Sequence, residues 1–155
     1  MRVWFELFGR KACAPTPKCR ATRTAKRAGK HNLDLIVELI KLRASQINGC
    51  AFCIHMHTTE ARAHGETEMR LYMLNAWRES SLYTERERAA LAWTEALTLV
   101  AETGAPDADY VLLASAFGDA EQVQLTLAIG AINLWNRLQV GFRAAHPVDS
   151  ARDAA

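Results

Sequence analysis

From Leu33 onward the apolar residues of this chain recur three or four positions apart, and nowhere do they alternate between turn residues. A period near 3.6 is the face of a helix and a period of two the face of a strand, so the pattern calls for helices and supplies no strand. In "LDLIVELIKLRASQIN" the residues Leu35, Ile36, Leu39, Ile40 and Ile47 make one such stripe, with Glu38 at its edge. Asn48-Gly49 breaks it, and Cys50 begins a second helix, "CAFCIHMHTTEARAHG", for which Gly65 is a natural stop. Thr67 or Glu68 starts "TEMRLYMLNAWRES", and Thr84 with Glu87 forms a capping box before "ALAWTEALTLVAETG", ended by Gly104. Pro106 suits the first turn of a helix through "YVLLASAF", and Asp119 with Gln122 makes a box-like start for the long final helix, closed by Pro147. The expectation is an all-α domain of about six helices.

The 155 residues suit one domain. The pattern assigns 1–32 to a basic, irregular arm, 33–147 to the helical domain and 148–155 to a tail. Residues 1–30 hold nine Lys and Arg against one acid, so the net charge of +2 conceals +8 there and −6 in the remainder. The domain proper is therefore mildly acidic, and a nucleic-acid surface is not expected of it. No apolar run reaches the roughly 18 residues of a spanning helix, so no membrane role is expected. Four cysteines, Cys13, Cys19, Cys50 and Cys53, are too few for a disulfide scaffold, and the start lacks a signal-peptide apolar stretch. A cytoplasmic setting is the default, and there a close cysteine pair points to catalysis or metal.

The stretch "INGCAFCIHMH" gathers the reactive residues. With Cys50 at a helix start, Cys53 lies at i+3 and His57 at i+7, all on one stripe. The positive end of a helix favours a thiolate and lowers a cysteine pKa. Two sulfurs at this spacing can also close a disulfide, while His57, one turn from Cys53, can carry protons. Phe52 and Ile54 are expected to shield the pair, and His55 faces elsewhere. A zinc site is the metal alternative, but tetrahedral zinc takes four ligands and these residues supply three, with Cys13 and Cys19 at the wrong spacing. The remaining alternative makes both cysteines small core residues and His57 a satisfied helix histidine. A CxxC without strands excludes a thioredoxin-type scaffold. On the last helix Asn133, Asn136 and Arg137 share a face; structural hydrogen bonds or a subunit contact explain them more simply than catalysis.

The run "ELIKLRASQINGCAFCIHMHTTEARAHGETEMRLYMLNAWRES", followed by "TERERAALAWTEALT" and "AINLWNRL", resembles the AhpD-like alkylhydroperoxidase branch of the carboxymuconolactone decarboxylase superfamily. The resemblance rests on an E-x11-C-x2-C-x3-H pattern falling on Glu38, Cys50, Cys53 and His57. It implies an all-α fold with the site on an antiparallel helix pair, and assembly as a homo-oligomer, a trimer or hexamer. It also implies that Cys53 attacks a hydroperoxide, that Cys50 resolves the product as a disulfide, and that His57 and Glu38 form the proton relay. Placed there, Glu38 is expected to have its pKa raised by desolvation into a range useful for a base. An external dithiol, lipoyl or thioredoxin-like, would reset the disulfide, with no metal, flavin or other cofactor implied.

Some peroxidase members carry a further relay histidine between the motif cysteines, where this chain has Phe52. The alternatives are accordingly a CxxC disulfide reductase or redox relay with weak peroxidase activity, a carboxymuconolactone decarboxylase-like protein, and a non-catalytic helical oligomer. Decarboxylase members generally lack the CxxC, which makes their ring-lactone chemistry the poorer match.

Overall fold

The computed structural model describes residues 33–146; the arm at 1–32 with Cys13 and Cys19, Pro147 and the tail at 148–155 fall outside the described residues. The helices are α1 (33–47), α2 (Ala51–Ala63), α3 (Glu68–Met73), α4 (Glu85–Thr98), α5 (Val100–Thr103), α6 (Asp107–Ala116) and α7 (Asp119–Gly141), with a 3-10 turn at Leu74–Ala76. Among the described residues there is no strand, and no helix is long and apolar enough to cross a membrane.

Capping residues set most boundaries. Thr84 and Glu87 bond reciprocally at the start of α4, the hydroxyl accepting from the Glu87 N–H and the carboxylate from the Thr84 N–H. The α7 start differs from the expected pairing by one residue. Glu121 accepts from the Gly118 N–H at 3.2 Å, while Gln122 is drawn instead to the Phe117 carbonyl at 2.8 Å. Pro106 caps α6 from just outside it.

Two expected helices are shorter than their apolar patterns. "ALAWTEALTLVAETG" breaks at Leu99, where the Thr103 hydroxyl reaches back to the Ala96 carbonyl at 2.7 Å and replaces a backbone rung. "TEMRLYMLNAWRES" leaves α-helical geometry at Met73. Beyond it, Arg88 of α4 donates to the carbonyls of Trp77, Arg78 and Ser80, satisfying acceptors that a continued helix would have used.

The main core joins Leu39 and Leu42 of α1, Ala61 of α2, Leu71, Leu74, Trp77 and Tyr83, and Leu91 and Ala92 of α4. Buried Ala89, Ala90, Ala92 and Ala96 make α4 slender, and α6 and α7 pack against it. A smaller cluster holds Ala44, Cys50, Cys53 and Ile132, with Phe52 against it. It lies where α1, α2 and α7 meet.

The α1–α2 junction positions the site. Helix α1 ends in a Schellman turn, with the Cys50 N–H bonded to the Ser45 carbonyl at 3.0 Å and the Gly49 N–H to the Gln46 carbonyl at 3.3 Å. Gly49 takes the left-handed position at φ 65. Cys50, the last residue of that turn, is also the N-cap of α2, its Sγ accepting from the Cys53 N–H at 3.4 Å. One residue thus closes one helix and opens the next. A Cβ at Gly49 would meet nothing within 4 Å, so the cost of a side chain there is conformational rather than steric crowding by neighbours. Gly49→Ala is expected to lower the unfolding free energy by about 1–2 kcal/mol, measured as a lower urea midpoint at unchanged slope.

Candidate active site

The sequence expectations meet in one buried place. Cys50 and Cys53 are free thiols, each 1% exposed, with their sulfurs 2.8 Å apart. His57 follows one turn later on α2 and is buried. Glu38 reaches it from α1, its Oε2 3.0 Å from His57 Nδ1. Phe52 packs beside the sulfurs as expected, but Ile54 packs on the main core and does not shield them. His55 stands apart, its ring 5.6 Å from that of His146.

The hydrogen bonds define the imidazole. Nδ1 faces two carboxylates, Glu38 at 3.0 Å and Glu60 at 3.2 Å. Ionised carboxylates only accept, so Nδ1 carries the hydrogen. In the neutral ring the lone pair then lies on Nε2, which is buried and has no hydrogen-bond partner among the described residues. A buried orphan nitrogen is uncommon in a folded protein and marks a place where a proton can be received.

Two ionisation expectations are corrected. Burial works to raise the Glu38 carboxyl, but the hydrogen bond from His57 and the charge and hydrogen bond of Lys41, 2.7 Å away, outweigh it and hold Glu38 at about 2 rather than 4.5. Glu38 is therefore an anchored anion that orients the imidazole, and too weak a base to take the proton itself. Burial likewise overrides the helix end at Cys53. It pushes this thiol up to about 12, the hydrogen bond with Cys50 adding to the rise and the Asn136 side chain opposing it. Cys53 thus rests as a thiol and needs a base at the moment of reaction.

The polar face of α7 supplies the opposite wall. Asn48 Nδ2 donates to the side-chain oxygens of both Asn133 and Asn136 at 2.9 Å, and Asn136 Nδ2 donates to Ser45 Oγ at 3.0 Å. Asn133 also donates to Thr98 Oγ1 at 3.1 Å, and Arg137 donates to the Asn133 carbonyl at 2.8 Å. Asn133 and Arg137 are thus structural, whereas Asn136 both ties α7 to α1 and acts on Cys53.

Sequence reasoning missed Glu60, Lys41 and this part of Asn136. Glu60 carried a usable signal, since it sits at i+3 from His57. Lys41 had the same spacing from Glu38, but no spacing rule reveals contact between Asn136 and Cys53, which lie on different helices.

Oxygen and nitrogen atoms of Glu38, His57 and Glu60 lie within 4.8 Å of one another, the spacing of a possible metal set. The Nδ1 distances are those of hydrogen bonds, and the Lys41 ammonium sits on Glu38. These residues suit a proton better than a cation.

Because the folded Glu38 pKa lies below its unfolded value, its stabilisation is complete above about pH 4.5 and is lost as the pH falls toward 2. Glu38→Gln is expected to flatten this part of the acid limb, read from urea unfolding free energies between pH 6 and 3. An unchanged acid limb would contradict the anchored-anion assignment.

The carboxymuconolactone decarboxylase family profile matches residues 21–96. The chain is 48% identical over 110 residues to the uncharacterized protein YdfG of Bacillus subtilis, spanning 70% of this chain and 75% of that one. It is 31% identical over 103 residues to the uncharacterized protein YnjA of Escherichia coli, spanning 66% and 56%. A crystal structure of an Agrobacterium tumefaciens protein of unknown function, provisionally named antioxidant defence protein AhpD, superposes with a TM-score of 0.72 at 44% identity, covering 88% of this chain and 100% of that one.

Proposed function

This chain belongs to the carboxymuconolactone decarboxylase family, and from that premise we propose that it is a thiol-dependent peroxidase of the AhpD-like kind. The observation that carries the reading is a pair of adjacent buried thiols one turn from a histidine whose outer nitrogen is unpartnered and whose inner nitrogen is held by carboxylates.

In this mechanism His57 Nε2 takes the Cys53 proton as the sulfur attacks the outer oxygen of a hydroperoxide. The O–O bond breaks, the alcohol leaves with a proton, and Cys53 becomes a sulfenic acid. The Cys50 sulfur then displaces water from Cys53 and closes the disulfide. Glu38 and Glu60 hold the imidazole and stabilise its charge while the proton resides there. An external dithiol, lipoyl or thioredoxin-like, returns both thiols.

A second reading, a CxxC disulfide relay with little peroxidase activity, is favoured by Phe52, which stands between the cysteines where some peroxidase members carry a further relay histidine. Peroxide consumption measured beside disulfide exchange on the same protein separates the two. Under the leading reading Cys53→Ser abolishes peroxide turnover, Cys50→Ser accumulates a sulfenic acid detectable by mass spectrometry, and His57→Asn slows turnover about 10²–10⁴-fold. Normal multiple turnover in both cysteine variants would refute it.

Self-association, as a trimer or hexamer, belongs to the same proposal. Its support is an apolar surface on α7, where Val123, Leu127, Leu134 and Trp135 are 59%, 67%, 58% and 49% exposed. Leu127→Glu is expected to lower the sedimentation coefficient relative to wild type.

A further inference from the structure

Asn136 lies in the core at 1% exposure, and a chain of hydrogen bonds gives its amide one direction. The Ser45 hydroxyl donates to the Lys41 carbonyl at 2.7 Å. A carbonyl only accepts, so the single hydrogen of the hydroxyl is engaged there and Ser45 Oγ is left to accept. The atom facing it at 3.0 Å is therefore the amide nitrogen of Asn136. The amide oxygen, on the other side, accepts from Asn48 Nδ2 at 2.9 Å. The oxygen and one N–H thus tie α7 to α1.

A second N–H remains on the same nitrogen. Ile132, one turn earlier on that face of α7, packs with Cys50 and Cys53, which brings Asn136 beside the cysteines. There the Asn136 side chain meets Cys53, and it does so as a donor, since it favours the ionised sulfur against the effect of burial. Cys50 has a different donor, the Cys53 N–H at 3.4 Å. Asn133, three residues before Asn136, shows the contrast. Its amide nitrogen goes to Thr98 Oγ1 and the Ile129 carbonyl, both oxygen partners that only hold the helices together.

We propose that Asn136 is a catalytic residue, whose second amide N–H donates to Cys53 Sγ and binds it more strongly as that sulfur passes from thiol to thiolate. The inference rests on the thiol-redox reading, and it adds a group from α7 that lies outside the pattern of Glu38, Cys50, Cys53 and His57. The step is a proton transfer. The Cys53 S–H bond breaks, the proton goes to His57 Nε2, and the electron pair stays on Sγ, where the amide hydrogen faces it. A hydrogen bond to a charged acceptor is stronger than one to a neutral acceptor, so the amide stabilises the reacting sulfur more than the resting thiol. Asn48 and Ser45 already hold the amide in place, so little reorganisation accompanies the arrival of charge.

The test uses the reduced full-length protein and iodoacetamide at pH 8, with peptide mass spectrometry reading alkylation at Cys53 and Cys50 separately. Cys50 is the internal reference. Both sulfurs are equally buried in one cluster, so a change in access alters both rates, whereas a lost donor alters that of Cys53. Asn136→Leu is expected to lower the Cys53-to-Cys50 rate ratio roughly tenfold, the effect of one hydrogen bond to a charged group. Should that variant not fold, Asn136→Asp, which keeps the acceptor for Asn48 and removes the N–H, is expected to lower the ratio at least as far. Ser45→Ala breaks the same tie between α1 and α7 and is expected to leave the ratio unchanged. An unchanged ratio in a folded Asn136 variant, or an equal fall in Ser45→Ala, overturns the proposal. If diamide still closes the Cys50–Cys53 bond in wild type, the redox reading survives that result. If wild type forms no such bond, the redox reading fails and the catalytic role of Asn136 fails with it.

Discussion

The site depends on the turn between α1 and α2, where the backbone of Cys50 closes one helix and its sulfur caps the next. That double use leaves Cys50 little freedom, and it sets the antiparallel course by which Glu38 meets His57. Gly49 is essential to the geometry because the chain must pass through the left-handed region between two helices with only one residue to do so. Among the described residues, Glu38, Cys50, Cys53 and His57 are all referenced to this corner.

Burial then decides the chemistry. It works to raise the pKa of the carboxyl and of the thiol alike, and their neighbours separate the two outcomes. Glu38 has compensation from a histidine and a lysine and stays charged. Cys53 has a neighbouring thiol and one amide, which do not offset desolvation, and stays protonated. The favourable field of a helix end is real but modest, typically a few tenths to 1 kcal/mol, and removal from water is the larger effect. The result separates a fixed negative charge from a proton donor, with an imidazole one turn from the donor.

The fold class, the capped helix starts and the shared face of Cys50, Cys53 and His57 were legible because each rests on local spacing, whereas Glu38, on another helix, was assigned to the site only through the family resemblance. The helix breaks at Leu99 and Met73 were not, since side chains seven or more residues distant satisfy the backbone there, through Thr103 and Arg88. The ionisation states were misjudged for a related reason. The helix dipole and the idea of a desolvated glutamate are local arguments, and both were overruled by neighbours and by burial.

By itself, then, the sequence determined that the chain is helical, where most helices begin, and that two cysteines and a histidine share a face, because period and spacing act within a few turns of backbone. Only the tertiary structure decided that Glu38 is an anchored anion, that Glu60 joins it at Nδ1, and that Asn136 of α7 reaches the cysteines. Those outcomes follow from desolvation and from contacts between helices distant in the chain, and neither is encoded in any single helical repeat.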